Sequence, residues 1–159
     1  MKKQSGFTLI ELVIVIIILG ILAVTAAPKF LNLQENAKKS AAQGVQAAVS
    51  SSAQLVYSKS ALEGEERVSS AAVTDSDGTL INTAYGYPTA NNAGIGNAVT
   101  IDGSWKGSKT TKTGSSYQFK ADSDLKKDAK CVLYTQATST ATATTIVGKL
   151  SADNGTCEP

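Results

Sequence analysis

The chain has 159 residues with 15 basic and 13 acidic side chains, no histidine and two cysteines, a size that supports one domain and a projecting element. Lys2 and Lys3 alone make the basic surplus, since residues 7–159 carry 13 basic against 13 acidic side chains, so charge gives no argument for nucleic acid. Two thiols without histidine cannot complete an ordinary zinc site, no thiol has a base, and no glycine-rich phosphate loop follows a strand; an enzyme, a metal and a cofactor are therefore not expected.

After the leader MKKQSG the chain reads FTLIELVIVIIILGILAVTAAP. Residues 7–27 are 21 in number, about 30 Å as a helix and enough to cross a bilayer's hydrocarbon. Glu11 is the only ionisable side chain in this stretch. A carboxylate in lipid is costly and is by default functional and paired, yet no partner is obvious within the helix. A cleaved secretory signal peptide would place Pro28 just after the scissile bond and has too long an apolar core. A plain anchor explains the length and leaves Glu11, Gly6 and Phe7 unexplained.

These residues resemble the type IV pilins and pseudopilins. The resemblance implies a prepilin peptidase that cuts after Gly6, N-methylation of the new terminus at Phe7, and an assembly glutamate at Glu11 that pairs with the Phe7 amine of a neighbouring copy. Gly20 and Pro28 are counterparts of the family's helix-weakening glycine and proline; their low helix propensity and the cost of unpaired backbone groups in lipid predict a stretch that is helical in the membrane and melts in a fibre. The short leader is like that of the type IVa branch. Within it, ILAVTAAPKFLNLQ, SAQLVYSKS and Tyr85-Gly86-Tyr87-Pro88 resemble the mannose-sensitive haemagglutinin subgroup.

Past Pro28 the apolar pattern stays helical: Phe30, Leu33, Ala37, Ala41, Val45, Ala48, Ser52 and Leu55 recur every three or four residues, predicting one buried face. The expected organisation is a cleaved leader (1–6), a long helix (7–57) with a transmembrane and assembly half (7–27) and an amphipathic half (28–57), a connecting loop region (58–97) and an antiparallel sheet (98–159). Strands are predicted at 98–101 and 104–105 around Asp102-Gly103, at 117–121, 131–136 and 144–150. The fold class is α+β, a long N-terminal helix packed on an antiparallel head. Cys131 and Cys157 are read as a disulfide in an exported chain, with two free buried thiols as the alternative. The resemblance strengthens the pairing, because many pilins close a C-terminal loop there.

Weaker patterns are discounted. Asp75-Ser76-Asp77-Gly78 is like part of a calcium loop, but Val73 and Ala84 stand at its first and twelfth ligand positions, so a solvated turn is expected. Seven lysines between Lys106 and Lys130, set against Asp122, Asp124 and Asp128, read as a solvated face. Asn154-Gly155-Thr156 fits a glycosylation acceptor, a short and common pattern. Trp105, Tyr85 and Tyr87 are candidate sugar contacts, although aromatics in a sparse core more often anchor packing.

The expected function is the major structural subunit of a surface fibre for adhesion and biofilm attachment. The subunit waits in the inner membrane before assembly and is extracellular afterwards. The implied partners are further copies of itself, the prepilin peptidase, an inner-membrane assembly platform and motor ATPases, with surface glycans as candidate targets. The rival readings are a pseudopilin of a type II secretion system and a membrane-anchored glycan-binding module that never polymerises.

Overall fold

The computed structural model describes residues 7–110, 115–122, 126–152 and 155–159. The chain divides into two compact units, Met1–Lys38 and Lys39–Pro159, and one helix, α1 (Leu9–Glu63), contributes to both. In the first unit α1 is helical through Gly20 and Pro28. The Thr25 hydroxyl donates to the carbonyl of Leu22 at 2.9 Å, with Ile21 O at 3.5 Å, a back-bond common where helices lie in lipid.

In the second unit α1 buries Ala42, Val45, Val49, Ala53, Val56 and Ser60. This corrects the predicted face. Ala41 and Leu55 are exposed and Ser52 is half-buried; of the predicted stripe Val45 is buried in the core and Ala48 is half-buried against it. Phe30 and Leu33, at the head of the predicted stripe, are also exposed. Two stripes one residue apart satisfied the same period, and the sheet covers the one that puts Val49 and Ala53 in place of Ala48 and Ser52.

The head holds two antiparallel sheets. β1 (Ala71–Thr74), β2 (Leu80–Ala84) and β3 (Tyr87–Pro88) form the smaller one. β4 (Trp105–Lys109), β5 (Ser116–Ala121), β6 (Lys130–Thr135), β7 (Thr144–Leu150) and β8 (Cys157–Glu158) form a five-stranded meander in chain order. The expected α+β class, a helix packed on an antiparallel head, is what the structure has.

Alternation along the strands assigns the two faces of the larger sheet. Tyr117 and Phe119 on β5 and Val132 and Tyr134 on β6 meet Ala42, Val45, Val49 and Ala53 of α1, with Ile95 and Val99 completing the core. One turn further on, Val56 packs with Val73 and Ile81 of the small sheet. The opposite face of β6 gives Cys131 and Leu133 to a second cluster with Ala129, Leu150 and Cys157.

Two strand expectations are corrected. The region 58–97 is no simple loop, since it holds β1 to β3 and a π-helical turn, Asn92–Gly96. Its Asp, Gly and Asn residues serve as hairpin turns: Asp75-Ser76-Asp77-Gly78 joins β1 to β2, with Gly78 N–H donating to Asp75 O at 3.0 Å. Residues 98–101 form no strand, and β4 pairs with β5 instead. Val99 is drawn into the core, while Asp102 turns the chain by accepting from Ser104 N–H at 2.8 Å and, through its carbonyl, from Trp105 N–H at 3.1 Å.

Candidate assembly and anchoring site

Phe7 lies two residues ahead of α1 and is 88% exposed. The other side of the Gly6–Phe7 bond, Gly6, falls outside the described residues, as do Asp124 and Asn154. Thr8 and Glu11 begin the helix with a reciprocal cap. Glu11 Oε2 accepts from the Thr8 backbone N–H and from the Thr8 hydroxyl, both at 2.8 Å, and Thr8 Oγ1 accepts from the Glu11 N–H at 3.3 Å. This is a capping box, which satisfies amide donors that the first helical turn leaves without partners.

The cap supplies an intrahelical partner for Glu11, which was not expected from the sequence. Its signature, Thr-x-x-Glu before an apolar run, stands in the sequence at Thr8 and Glu11. A carboxylate at this position also faces the positive end of the helix dipole. Both bonds land on Oε2, which leaves Oε1 as an acceptor for another donor. Chemically the turn holds a fixed anion beside the Thr8 backbone amide.

Downstream the helix surface is apolar and uncovered. Ile10, Leu12, Ile16, Ile17, Leu19, Ile21, Leu22 and Val24 are each more than half exposed. α1 is a helix long and apolar enough to cross a membrane. A Cβ added at Gly20 would meet nothing within 4 Å, so nothing within the chain requires glycine there.

Cys131 and Cys157 form a disulfide with Cα atoms 5.8 Å apart, joining β6 to β8. The buried Gln118 on β5 reinforces it: Oε1 accepts from Cys157 N–H at 2.7 Å and Nε2 donates to Ser108 Oγ at 3.3 Å. Lys120 Nζ donates to Gly155 O at 3.2 Å, so one lysine of the predicted solvated run fastens the tail. Lys106 pairs with Asp122 at 2.8 Å. Trp105 and Tyr87 both pack against the main core, and Tyr87 also lines a cleft with Tyr57 and Tyr85.

The comparisons agree with this N-terminal site. The family described as the prokaryotic N-terminal methylation motif matches residues 1–27. A fimbrial protein of Pseudomonas aeruginosa is 41% identical over 75 residues, 47% of this chain and 46% of the relative. The type IV narrow pilus major component PilA5 of Thermus thermophilus is 47% identical over 49 residues, 31% of this chain and 42% of the relative. The type II secretion system core protein G of Pseudomonas aeruginosa is 46% identical over 43 residues, 27% of this chain and 30% of the relative. The chain thus spans less than half the length of these curated relatives. No solved structure matches it. The N-terminal methylation motif, the uncovered apolar helix and the antiparallel head together make this a type IV pilin-like chain with fimbrial, pilus and pseudopilus homologues.

Proposed function

We propose that the chain is the major structural subunit of a type IV pilus. In this reading residues 7–27 hold the precursor in the inner membrane, a prepilin peptidase cuts between Gly6 and Phe7, and Phe7 is N-methylated. The mature subunits then polymerise through α1 into a surface fibre that serves adhesion and biofilm attachment. An inner-membrane platform and motor ATPases drive assembly, because the sequence offers no nucleotide site of its own. The segments SAQLVYSKS and Tyr85-Gly86-Tyr87-Pro88 support the mannose-sensitive haemagglutinin subgroup.

The observation that carries the proposal is Glu11, a carboxylate held by Thr8 at the head of a helix whose apolar side chains from Ile10 to Val24 are left uncovered among the described residues. Cleavage would create an amine at Phe7, next to the Thr8 N–H that already binds this carboxylate. A neighbouring copy that offers its own Phe7 amine to Oε1 would neutralise both charges and fix the axial register. Such a buried pair costs about 3–5 kcal/mol to break by removing one partner.

The identity over 43 residues to a type II secretion core protein supports a second reading, a short pseudopilus piston. Electron microscopy of intact cells with antibody to the head separates the two. Long surface fibres labelled along their length are expected. Intact mass should give a chain that starts at N-methylated Phe7, and surface protein that retains residues 1–6 would refute the processing step.

A further inference from the structure

Among the described residues three side-chain oxygens are buried without a hydrogen-bond partner in the chain: Ser60 Oγ, Thr83 Oγ1 and Glu65 Oε2. Ser60 is 0% exposed and Thr83 1%. An unpaired polar group in the interior is costly, and a carboxylate oxygen more so than a hydroxyl. The three are far apart in sequence, yet the fold brings them to the same end of α1.

α1 ends in a Schellman motif. Gly64, with φ +77°, donates its N–H to Ala61 O at 3.3 Å, and the Glu65 N–H donates to Ser60 O at 2.9 Å, which turns Glu65 back over Ser60. The two positions joined in this way ordinarily share a hydrophobic contact; here they are a serine and a glutamate. Thr83 comes from the small sheet. Val56 packs with Ile81, Ser60 stands one turn beyond Val56 on the same buried stripe of α1, and Thr83 stands two residues beyond Ile81 on the same face of β2. The segment that carries Glu65 then runs beside the end of this strand, where the Tyr85 N–H donates to Val68 O at 2.8 Å.

Charge identifies the ligand. The negative end of a helix favours a cation, yet α1 has no basic residue in its last turn. The nearest cations are engaged elsewhere: Lys59 donates to Thr74 O, and Arg67 pairs with Glu66 at 3.5 Å. Two hydroxyls and a carboxylate are hard oxygen donors, which suit alkali and alkaline-earth ions rather than soft metals. A water molecule would bridge the hydroxyls but leave the carboxylate's charge uncompensated. One carboxylate balances one positive charge, and helix C-terminal ends hold Na⁺ in the same way in transporters. We propose that Ser60, Glu65 and Thr83 bind one monovalent hard cation of the sodium class, which ties the exit of α1 to β2. The inference goes beyond the pilus reading and does not depend on it, because all three residues lie within the second unit, Lys39–Pro159.

The test uses the full chain in detergent micelles, with sodium chloride exchanged for choline chloride at constant ionic strength. Sodium at about ten times its Kd should raise the Tm of the head, read through Trp105, by about 3–6 °C. In an NMR titration the amides of Ser60, Glu65 and Thr83 should shift together with a single Kd. Thr83→Val removes an unpaired buried hydroxyl at nearly constant volume, so in choline it should be at least as stable as the native chain, while in sodium it should gain less than half the native shift. Glu65→Gln keeps the shape, removes the charge and should abolish the sodium dependence. Equal Tm in sodium and choline, a full sodium shift in Glu65→Gln, amide shifts that spare all three residues, or calcium chloride stabilising more than sodium chloride at equal ionic strength would each overturn the proposal. Failure here leaves fibre assembly untouched, and loss of fibres leaves this binding intact.

Discussion

One helix serves two regions with opposite surfaces. Along residues 9–38 of α1, Leu12, Ile16, Leu19, Leu22 and Phe30 are each more than half exposed. From residue 39 the same helix buries Ala42, Val45, Val49, Ala53 and Val56 under strands and turns of its own chain. A fully buried branched side chain is stabilised by about 1.5–3 kcal/mol relative to an exposed one. The second region obtains that stabilisation internally, whereas in the proposed function the first obtains it from lipid or from other copies. Bulk accordingly collects where the covering is external, and small residues where a sheet of the same chain approaches.

The comparison breaks hardest at the head's tail. Cys157→Ser is expected to lower head stability by about 2–5 kcal/mol, read as a shift in the urea midpoint through Trp105, the single tryptophan. The helical signal of the apolar half should be unchanged in micelles. Two titratable thiols in unfolded but unreduced native protein would remove the basis for this.

Gly148→Ala should cost about 1–3 kcal/mol as local overpacking. A Cβ at Gly148 overlaps the Glu158 carbonyl oxygen, so β8 should leave β7. Hydrogen exchange checks this: amides of 157–158 should lose protection while those of 42–56 keep it.

Alkaline pH sharpens the contrast, because the buried ionisable groups at issue lie in the second region. Burial, with the nearby Tyr87 adding to it, pushes the Tyr134 phenol well above its ordinary value of 10.0, and burial raises Tyr117 also. The folded state therefore keeps these protons longer than the unfolded chain does. Stability should be fully present below about pH 10 and fall as pH rises beyond it. Tyr134→Phe leaves Pro88 O without its donor and should cost about 1 kcal/mol at neutral pH, yet lose less between about pH 8 and about pH 11. An identical alkaline loss in both proteins would contradict the assignment.

The smallest effect belongs to the first region's cap. Thr8→Ala removes the hydroxyl that bonds Glu11 in both directions and should destabilise the first turn by about 1 kcal/mol. Amide exchange of Leu9 to Leu12 in micelles should quicken, with the head unaffected.

The apolar run and the runs of β-branched residues made the helix and the larger sheet legible in the sequence, because length and alternation are local properties. The buried stripe of α1 was not legible. Ala41 and Ala42, or Leu55 and Val56, are equivalent to a period and distinguished only by what the sheet can accommodate. The small sheet was hidden because Asp75, Gly78 and Gly86 serve hairpins while reading as loop. Glu11 stands out as a charge, and its partner Thr8 is legible only through the capping-box spacing, which the apolar run around it masks. The tyrosine cleft draws on residues from 57 to 142, and no window of sequence contains it.

In the proposed function Glu11 does for neighbouring copies what the second region does for itself, fixing one surface against another. The direct measurement is fibre number and length by electron microscopy for Glu11→Val as the sole subunit, at membrane levels matched to the native chain and to Thr8→Ala. Glu11→Val should be processed and membrane-resident yet form few fibres, while Thr8→Ala, which keeps the carboxylate, should assemble far better. Normal fibres from Glu11→Val would contradict the account, and equal loss in both variants would reduce Glu11 to a helix cap.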